Sequence, residues 1–370
     1  MIVFPGEYQP RKEALFAALA EVAGGGLRLK AIPSRLRGYP ETAARADAAM
    51  ARAKRQHRGL LRWLKRRLIA GQYNWARSYF TRHPDRVAVA WNGLTGSRMA
   101  YMMGARDAGA ARLYAELAPL PGRITLDPVG VNAESSVPGE PDFFHTYAAQ
   151  HGLSDWRRLG AGMVARPSRR ADVGQGGAAL PDTPFLFCPL QVPDDSQITL
   201  FSGWCGGMEG FFAALTQAVQ NLPDGWHLRL KEHPSAKTSL RPLLAPLLAT
   251  GRAVLDNDTD SFAQVAASRG VVTLNSSMGL QAFFHDKPVV TLGRAFWALP
   301  GLVTPATSAE SLAAILAQPQ ALGFDQILRD AFMSWLDRVY YPVFDPETGF
   351  DRDAFAAKLA QARAAAAAGP

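Results

Sequence analysis

The sequence predicts an α/β chain built from two Rossmann-like halves, and three observations carry that expectation. Apolar runs of strand length alternate with segments of helix length along most of the chain. Side chains with chemistry to offer fall where those runs end, as at Lys231-Glu232-His233 and Asn275-Ser276-Ser277. A chain of 370 residues also exceeds one compact core of ordinary size, so two domains are expected.

Ile2-Val3-Phe4, then Pro5-Gly6 and an Ala/Leu-rich stretch to about Val22, read as strand, turn and helix, and Leu27–Ile32 reads as the next strand. Arg86–Trp91 is a further strand that stops at the turn dipeptide Asn92-Gly93. A helix from Ser97 to about Ala108, a strand near Arg112–Tyr114 and a strand at Ile124–Asp127 follow. Glu116 and Asp127 are then expected at strand ends on one edge of the sheet, each a candidate general base.

From Ala165 to Thr183 the chain turns polar and irregular, as a linker would. Strands at 185–188, 227–231, 252–255, 270–274 and 288–292 then alternate with helices near 208–221, 238–249, 260–268 and 277–285, which is the pattern of a parallel sheet. Helices near 308–317 and 324–338 and an Ala-rich tail, Phe355–Ala368, close the chain. The expected division is an N-terminal Rossmann-like domain over 1–165, a linker over 166–183, a second Rossmann-like domain over 184–320, and C-terminal helices over 321–370 that cross back.

The composition is globular, with 48% hydrophobic and 19% charged residues. Cys188 and Cys205 have no neighbouring Cys or His ligand pattern, so they read as ordinary thiols of a reducing compartment. Met1-Ile2-Val3-Phe4-Pro5 opens directly as a strand, without the basic and apolar regions of a secretion signal, and no run of eighteen apolar residues occurs. A cytoplasmic protein is expected. Net charge +8 points to an anionic partner. The excess is concentrated between Arg52 and Arg67, where Lys54, Arg55, Arg58, Arg62, Lys65 and Arg66 interleave with Leu60, Leu61, Trp63 and Leu64 and no acid intervenes. That is the pattern of a basic amphipathic helix on an anionic membrane surface, or of a solvated helix whose apolar face is core. Nucleic acid ranks last, because no recognition motif accompanies the charge.

Residues 227–231 alternate as a strand, and Pro234 stops it by removing a donor. Lys231, Glu232 and His233 are therefore expected at the carboxyl edge of an open sheet, where ligands bind. Asn275, Ser276 and Ser277 open a helix after the next apolar strand but one, a setting that suits an anion. Asp256, Asn257 and Asp258 read as a capping cluster or as partners of a ribose or base, and His285 as structural.

Two Rossmann-like halves facing a cleft, with anion-binding elements in the second, describe the GT-B arrangement of glycosyltransferases. Trp91-Asn92-Gly93, Glu116 with Pro119-Leu120-Pro121, Asp127–Asn132, Pro189–Gln197, Lys231–Pro234, Asn275–Ser277 and Lys287-Pro288 also resemble, in order, the signature blocks of the capsule polysaccharide biosynthesis proteins. That family includes the retaining β-Kdo transferases that build the linker between phospholipid and capsule. The resemblance covers roughly residues 85–300, and the first eighty residues add nothing to it.

What the resemblance implies is transfer of Kdo, or a related keto-sugar acid, from CMP to a lipid-linked or saccharide acceptor. His233, Ser276 and Ser277 would hold the nucleotide phosphate, with Lys231 as an added charge and Glu232 and Asn275 beside it. Charge developing on the phosphate as CMP leaves would be met there, by an imidazolium among other donors. Asp195 matches the family's carboxylate nucleophile, Asp194 competes with it, and Gln191 would orient the acid or touch the sugar carboxylate. Retention of configuration is achieved by double displacement through a glycosyl-enzyme adduct. Glu116 or Asp127 would deprotonate the acceptor. No metal or other cofactor is implied, because the donor carries one phosphate and is itself the substrate. A sialyltransferase-like enzyme for another CMP-nonulosonic acid and a non-catalytic capsule assembly or export protein are the rival readings. The expected location is the cytoplasm, peripheral on the inner membrane.

Overall fold

The computed structural model describes residues 1–165, 167–177 and 179–369. Arg166 and Ala178 of the expected linker, and the terminal Pro370, lie outside the described residues. The chain forms two compact units, one of Met1–Val137 with Leu336–Pro370 and one of Pro138–Trp335.

The first unit begins β1 (Ile2–Pro5), α1 (Pro10–Val22), β2 (Gly26–Leu29), α2 (Thr42–Ala51), α3 (Gly59–Arg82), β3 (Val87–Trp91), α4 (Gly96–Asp107), β4 (Arg112–Leu117) and β5 (Ile124–Asp127). Its sheet has the order β2-β1-β3-β4-β5. β1 and β3 are buried along their whole length, as expected of near-continuous apolar strands covered on both faces. The expected Asn92-Gly93 turn is present, with Asn92 at φ 61° and Gly93 at φ 76°. A β-carbon on Gly93 would also sit 2.6 Å from the Tyr114 ring, so the position needs glycine twice over.

Two expectations are corrected here. β5 runs antiparallel to β4, with Glu116 opposite Thr125 and Asp127 opposite Tyr114. Asp127 and Glu116 therefore do not share a carboxyl edge. The cause is the short link, residues 118–123, which can close an antiparallel pair but cannot carry a crossover. The basic segment is likewise not one helix from Arg52: α2 ends at Ala51, residues 52–58 are irregular, and α3 starts at Gly59.

The second unit runs α5 (Pro141–His151), β6 (Phe185–Pro189), α6 (Ser196–Phe201), α7 (Met208–Ala218), β7 (His227–Lys231), α8 (Arg241–Leu248), β8 (Ala253–Leu255), α9 (Ser261–Ala267), β9 (Val271–Thr273), α10 (Ser277–Gln281), β10 (Val289–Thr291), β11 (Thr304–Pro305), α11 (Ala309–Ala317) and α12 (Gln326–Trp335). Six strands in the order β11-β10-β9-β6-β7-β8 pair in parallel throughout. Leu186, Leu228, Val272 and Val290 from four of them are fully buried in one core with Phe211, Leu215, Leu244 and Leu312 from the helices. Each such side chain contributes about 1.5–3 kcal/mol of transfer free energy.

After a π-helical turn at Leu336–Tyr340 the chain supplies the first unit with a short hairpin, β12 (Phe344–Asp345) and β13 (Gly349–Phe350), and with α13 (Arg352–Ala367). Phe355, Leu359 and Ala362 of α13 are buried in the same core as Ile2, Val87 and Leu113. Asp351 caps α13 by accepting from Ala354 N.

Candidate active site

Because β9, β6 and β7 are parallel neighbours, their carboxyl ends lie side by side on one edge of the second sheet. A recess opens there. Phe187, Pro189 and Leu190 contribute from β6 and the residue after it, Lys231 through Pro234 from the end of β7, and Ser276, Ser277, Met278 and Gln281 from α10 and its cap. The sequence-predicted imidazole and both serines thus share one cavity.

His233 is held by a local bond in which its Nδ1 accepts from Ser235 N at 3.0 Å. An acceptor nitrogen carries no proton, so the ring is the neutral tautomer with its hydrogen on Nε2. The expected imidazolium is therefore corrected to a neutral donor. Ser276 caps α10, its Oγ accepting from Met278 N at 3.3 Å, while its own N–H donates to Thr273 Oγ1 at 3.2 Å. Its hydroxyl hydrogen remains directed by rotation alone. Gly279 lies one turn on, where a β-carbon would fall 2.3 Å from the Trp297 ring, so α10 sits directly against that indole.

Lys231 is placed in the wall but not as a charge for a ligand. Its Nζ donates to Gly174 O at 2.7 Å, Asn257 O at 2.9 Å and Thr259 O at 2.5 Å, which uses all three of its hydrogens. Burial lowers its pKa, and the nearby carboxylates of Asp256, Asp260 and Asp258 oppose that. Glu232 is equally committed: Oε1 accepts from Leu240 N at 2.6 Å and Ser239 Oγ at 2.9 Å, and Oε2 pairs with Arg170. These two residues brace the loops around the recess. Asn257 Oδ1 adds to the brace by accepting from Glu232 N at 3.0 Å. Asp256 pairs with Arg229 and also accepts from Asp258 N and Thr259 N. Burial would raise its pKa, but these hydrogen bonds outweigh that and bring it down to about 2.

Asn275 and Gln191 stand behind the recess. Gln191 Nε2 donates to Asn275 Oδ1 at 2.9 Å and Gln191 Oε1 accepts from Asn275 N at 3.3 Å, tying the loop after β6 to the loop after β9. Asn275 Nδ2 donates to the carbonyls of Gln197, Phe201 and Arg294. Both side chains are buried, and neither lines the cavity. Asp195 caps α6 through a 2.8 Å bond from Gln197 N to Oδ1 and is otherwise exposed, as is Asp194. Neither acid is a wall residue.

The two carboxylates of the first unit differ sharply. Glu116 Oε2 accepts from Asn92 Nδ2 at 3.1 Å and Oε1 from Leu117 N at 3.0 Å, and the side chain is half-buried. Asp127 is fully buried. Its Oδ1 accepts from Val129 N and Gly130 N, and its Oδ2 from Ser136 N, Ser136 Oγ and Tyr340 Oη. A carboxylate has about four lone-pair sites, so Asp127 has no capacity left for an acceptor proton. The structure makes it the bracket of the loop over 128–136.

Several wall residues went unpredicted. Ser261 and Phe262 follow the Asp260 cap of α9, so the strand-end rule applied to β8 would have found them. Phe262 also stacks on His285 with centroids 6.1 Å apart, which gives that histidine its expected structural setting. Gln175 comes from the polar stretch read as a linker, where no pattern marked it. Both cysteines are buried thiols, with Cys205 pushed up to about 11 by burial.

Comparison with known proteins adds an independent line. The chain is 30% identical over 285 residues to Protein FixF of Sinorhizobium fredii, which covers 76% of this chain and 64% of the relative. It is 26% identical over 185 residues to the capsule polysaccharide modification protein LipB of Neisseria meningitidis, covering 46% of this chain and 43% of LipB. The matches thus span less than two thirds of these relatives' own length. Among solved structures, the Thermosulfurimonas dismutans KpsC β-Kdo 2,7 transferase aligns with a TM-score of 0.47 at 15% identity, over 77% of this chain and 88% of that one. The model for "Capsule polysaccharide biosynthesis protein" matches residues 168–333. Those residues, with the His233 loop and both serines inside them, thus match the capsule polysaccharide biosynthesis family.

Proposed function

We propose that the protein is a retaining glycosyltransferase of capsule or surface polysaccharide synthesis, moving Kdo or a related keto-sugar acid from CMP to a lipid-linked saccharide at the inner membrane. The observation that carries this reading is the convergence of His233, Ser276 and Ser277 on one recess at the carboxyl edge of a parallel sheet. The family match and the ordered sequence blocks support it.

The donor phosphate is proposed to meet the Nε2–H of His233 and the two serine hydroxyls. These are neutral donors, suited to charge that appears on a single phosphate as the bond from the anomeric carbon to the phosphate oxygen breaks. Lys231 and Glu232 hold the loops that position them. An Asp195 oxygen would attack the anomeric carbon as CMP leaves, giving a glycosyl ester. The acceptor hydroxyl, giving up its proton to a general base, would then displace the carboxylate and restore the original configuration. The step uses no metal, and chelator is expected to leave the rate unchanged.

The test is incubation with CMP-Kdo and a phosphoglycerol-type saccharide acceptor, with product and intact protein followed by mass spectrometry. Product with inverted configuration, or transfer by Asp195→Ala at the parent rate, would remove the double displacement. Turnover of a different CMP-nonulosonic acid in place of CMP-Kdo would move the reading to the sialyltransferase-like class.

A further inference from the structure

We propose that the amino-terminal turns of α3 form a docking face for an anionic lipid bilayer. Residues on a helix succeed one another at about 100°, which places Leu60, Leu64, Leu68 and Leu61 within an arc of about 100°. In a folded protein such an arc ordinarily faces core. Here it faces solvent: Leu60 is 70% exposed, Leu61 62%, Leu64 49% and Leu68 49%. Trp63, 50% exposed, flanks the arc with the Arg67 guanidinium 4.9 Å from its ring centroid. The helix becomes buried only from Ile69 onward, where it packs on α2 and α4.

Charge decides the occupant. No acid occurs between Asp47 and Asp85. Asp47 is already paired with Arg66, and Glu134 with Arg52. Arg55, Arg58 and Arg62 are exposed and take part in no ion pair among the described residues. A second copy of this chain laid on the leucine arc would bring two cationic flanks together, which is unfavourable. A nucleic acid would neutralise the cations and leave four leucines in water. An anionic bilayer satisfies both: the leucines and Trp63 enter the acyl boundary and the arginines meet headgroup phosphates. Among the described residues no helix is long and apolar enough to cross a membrane, so the contact proposed is at the surface. This inference stands on the first unit alone and does not depend on the donor assigned to the second.

The experiment is flotation of the full chain with vesicles of phosphatidylcholine alone or with about one third phosphatidylglycerol, at low and high salt. The protein is expected to float with the anionic vesicles and to be released by salt. The double variant Leu61→Gln/Leu64→Gln, and separately Arg58→Gln/Arg62→Gln, should each lower the bound fraction about tenfold with an unchanged melting temperature. Equal binding to neutral vesicles, or parent-like binding by both variants, would overturn the proposal. So would tighter binding to a single-stranded oligonucleotide than to the anionic vesicles, or a soluble dimer that the leucine variant dissociates while vesicle binding persists.

Discussion

At the scale of single residues, the recess separates side chains that hold it from side chains that face its interior. Lys231 is the instructive case. It stands in the wall, yet its three hydrogens go to three backbone carbonyls from two segments. Lys231→Met should therefore cost about 1–3 kcal/mol of stability, because Gly174 O, Asn257 O and Thr259 O each lose a donor, although Asn257 O keeps Gly174 N and Thr259 O keeps Gln264 Nε2. Thermal unfolding with and without CMP checks this: the melting temperature falls, while CMP still raises it. His233→Ala should behave the opposite way, with stability near the parent's and turnover of CMP-Kdo down by about 10²–10³. Residue types and their order were legible in the sequence at this scale; their hydrogen-bond commitments were not. A lysine at a strand end reads identically whether it faces a ligand or closes a loop. Asp127 shows the same limit, since its five donors come from the following loop and from Tyr340, far along the chain.

At the scale of elements, the strand-end positions of His233, Ser276 and Ser277 follow from the parallel pairing of β6, β7 and β9, which apolar strands alternating with helices foretold. The antiparallel β5 was also within reach, because its link to β4 is too short for any other pairing. The stretch over 167–177 carried no such signal. Its polarity and glycines read as linker, but in the structure Gly174 N and Gly176 N donate to the carbonyls of Asn257 and Asp258, and Arg170 pairs with Glu232. Those partners are visible only after folding. The most demanding packing in the site is Gly279 on Trp297. Gly279→Ala should destabilise by about 1–3 kcal/mol through overpacking and shift α10 with its serines. Calorimetry would show weakened CMP binding, and Trp297→Leu in the same chain should restore part of it.

At the scale of the whole molecule, one chain builds two units and returns to the first with α13. Deleting residues 351–370 should strip Phe355 and Leu359 from that core. Limited proteolysis is expected to cut within residues 1–137 while a fragment near residues 138–335 survives. Acid stability has an identifiable contributor in the second unit. Asp256 lies near 2 in the folded protein against 3.8 for the unconstrained carboxyl. Its contribution, about 2 kcal/mol, is thus complete above about pH 4 and is lost as pH falls through about 2. Urea midpoints across that window should drop more steeply for the parent than for Asp256→Asn. The central claim, that the recess grips the phosphate of a cytidine monophosphate, is tested most directly by calorimetric titration of CMP into the parent, His233→Ala and Ser277→Ala. Saturable binding by the parent, weakened about tenfold or more in each variant, is the predicted result. Heats indistinguishable from dilution with the parent, or equal affinity in all three proteins, would contradict it.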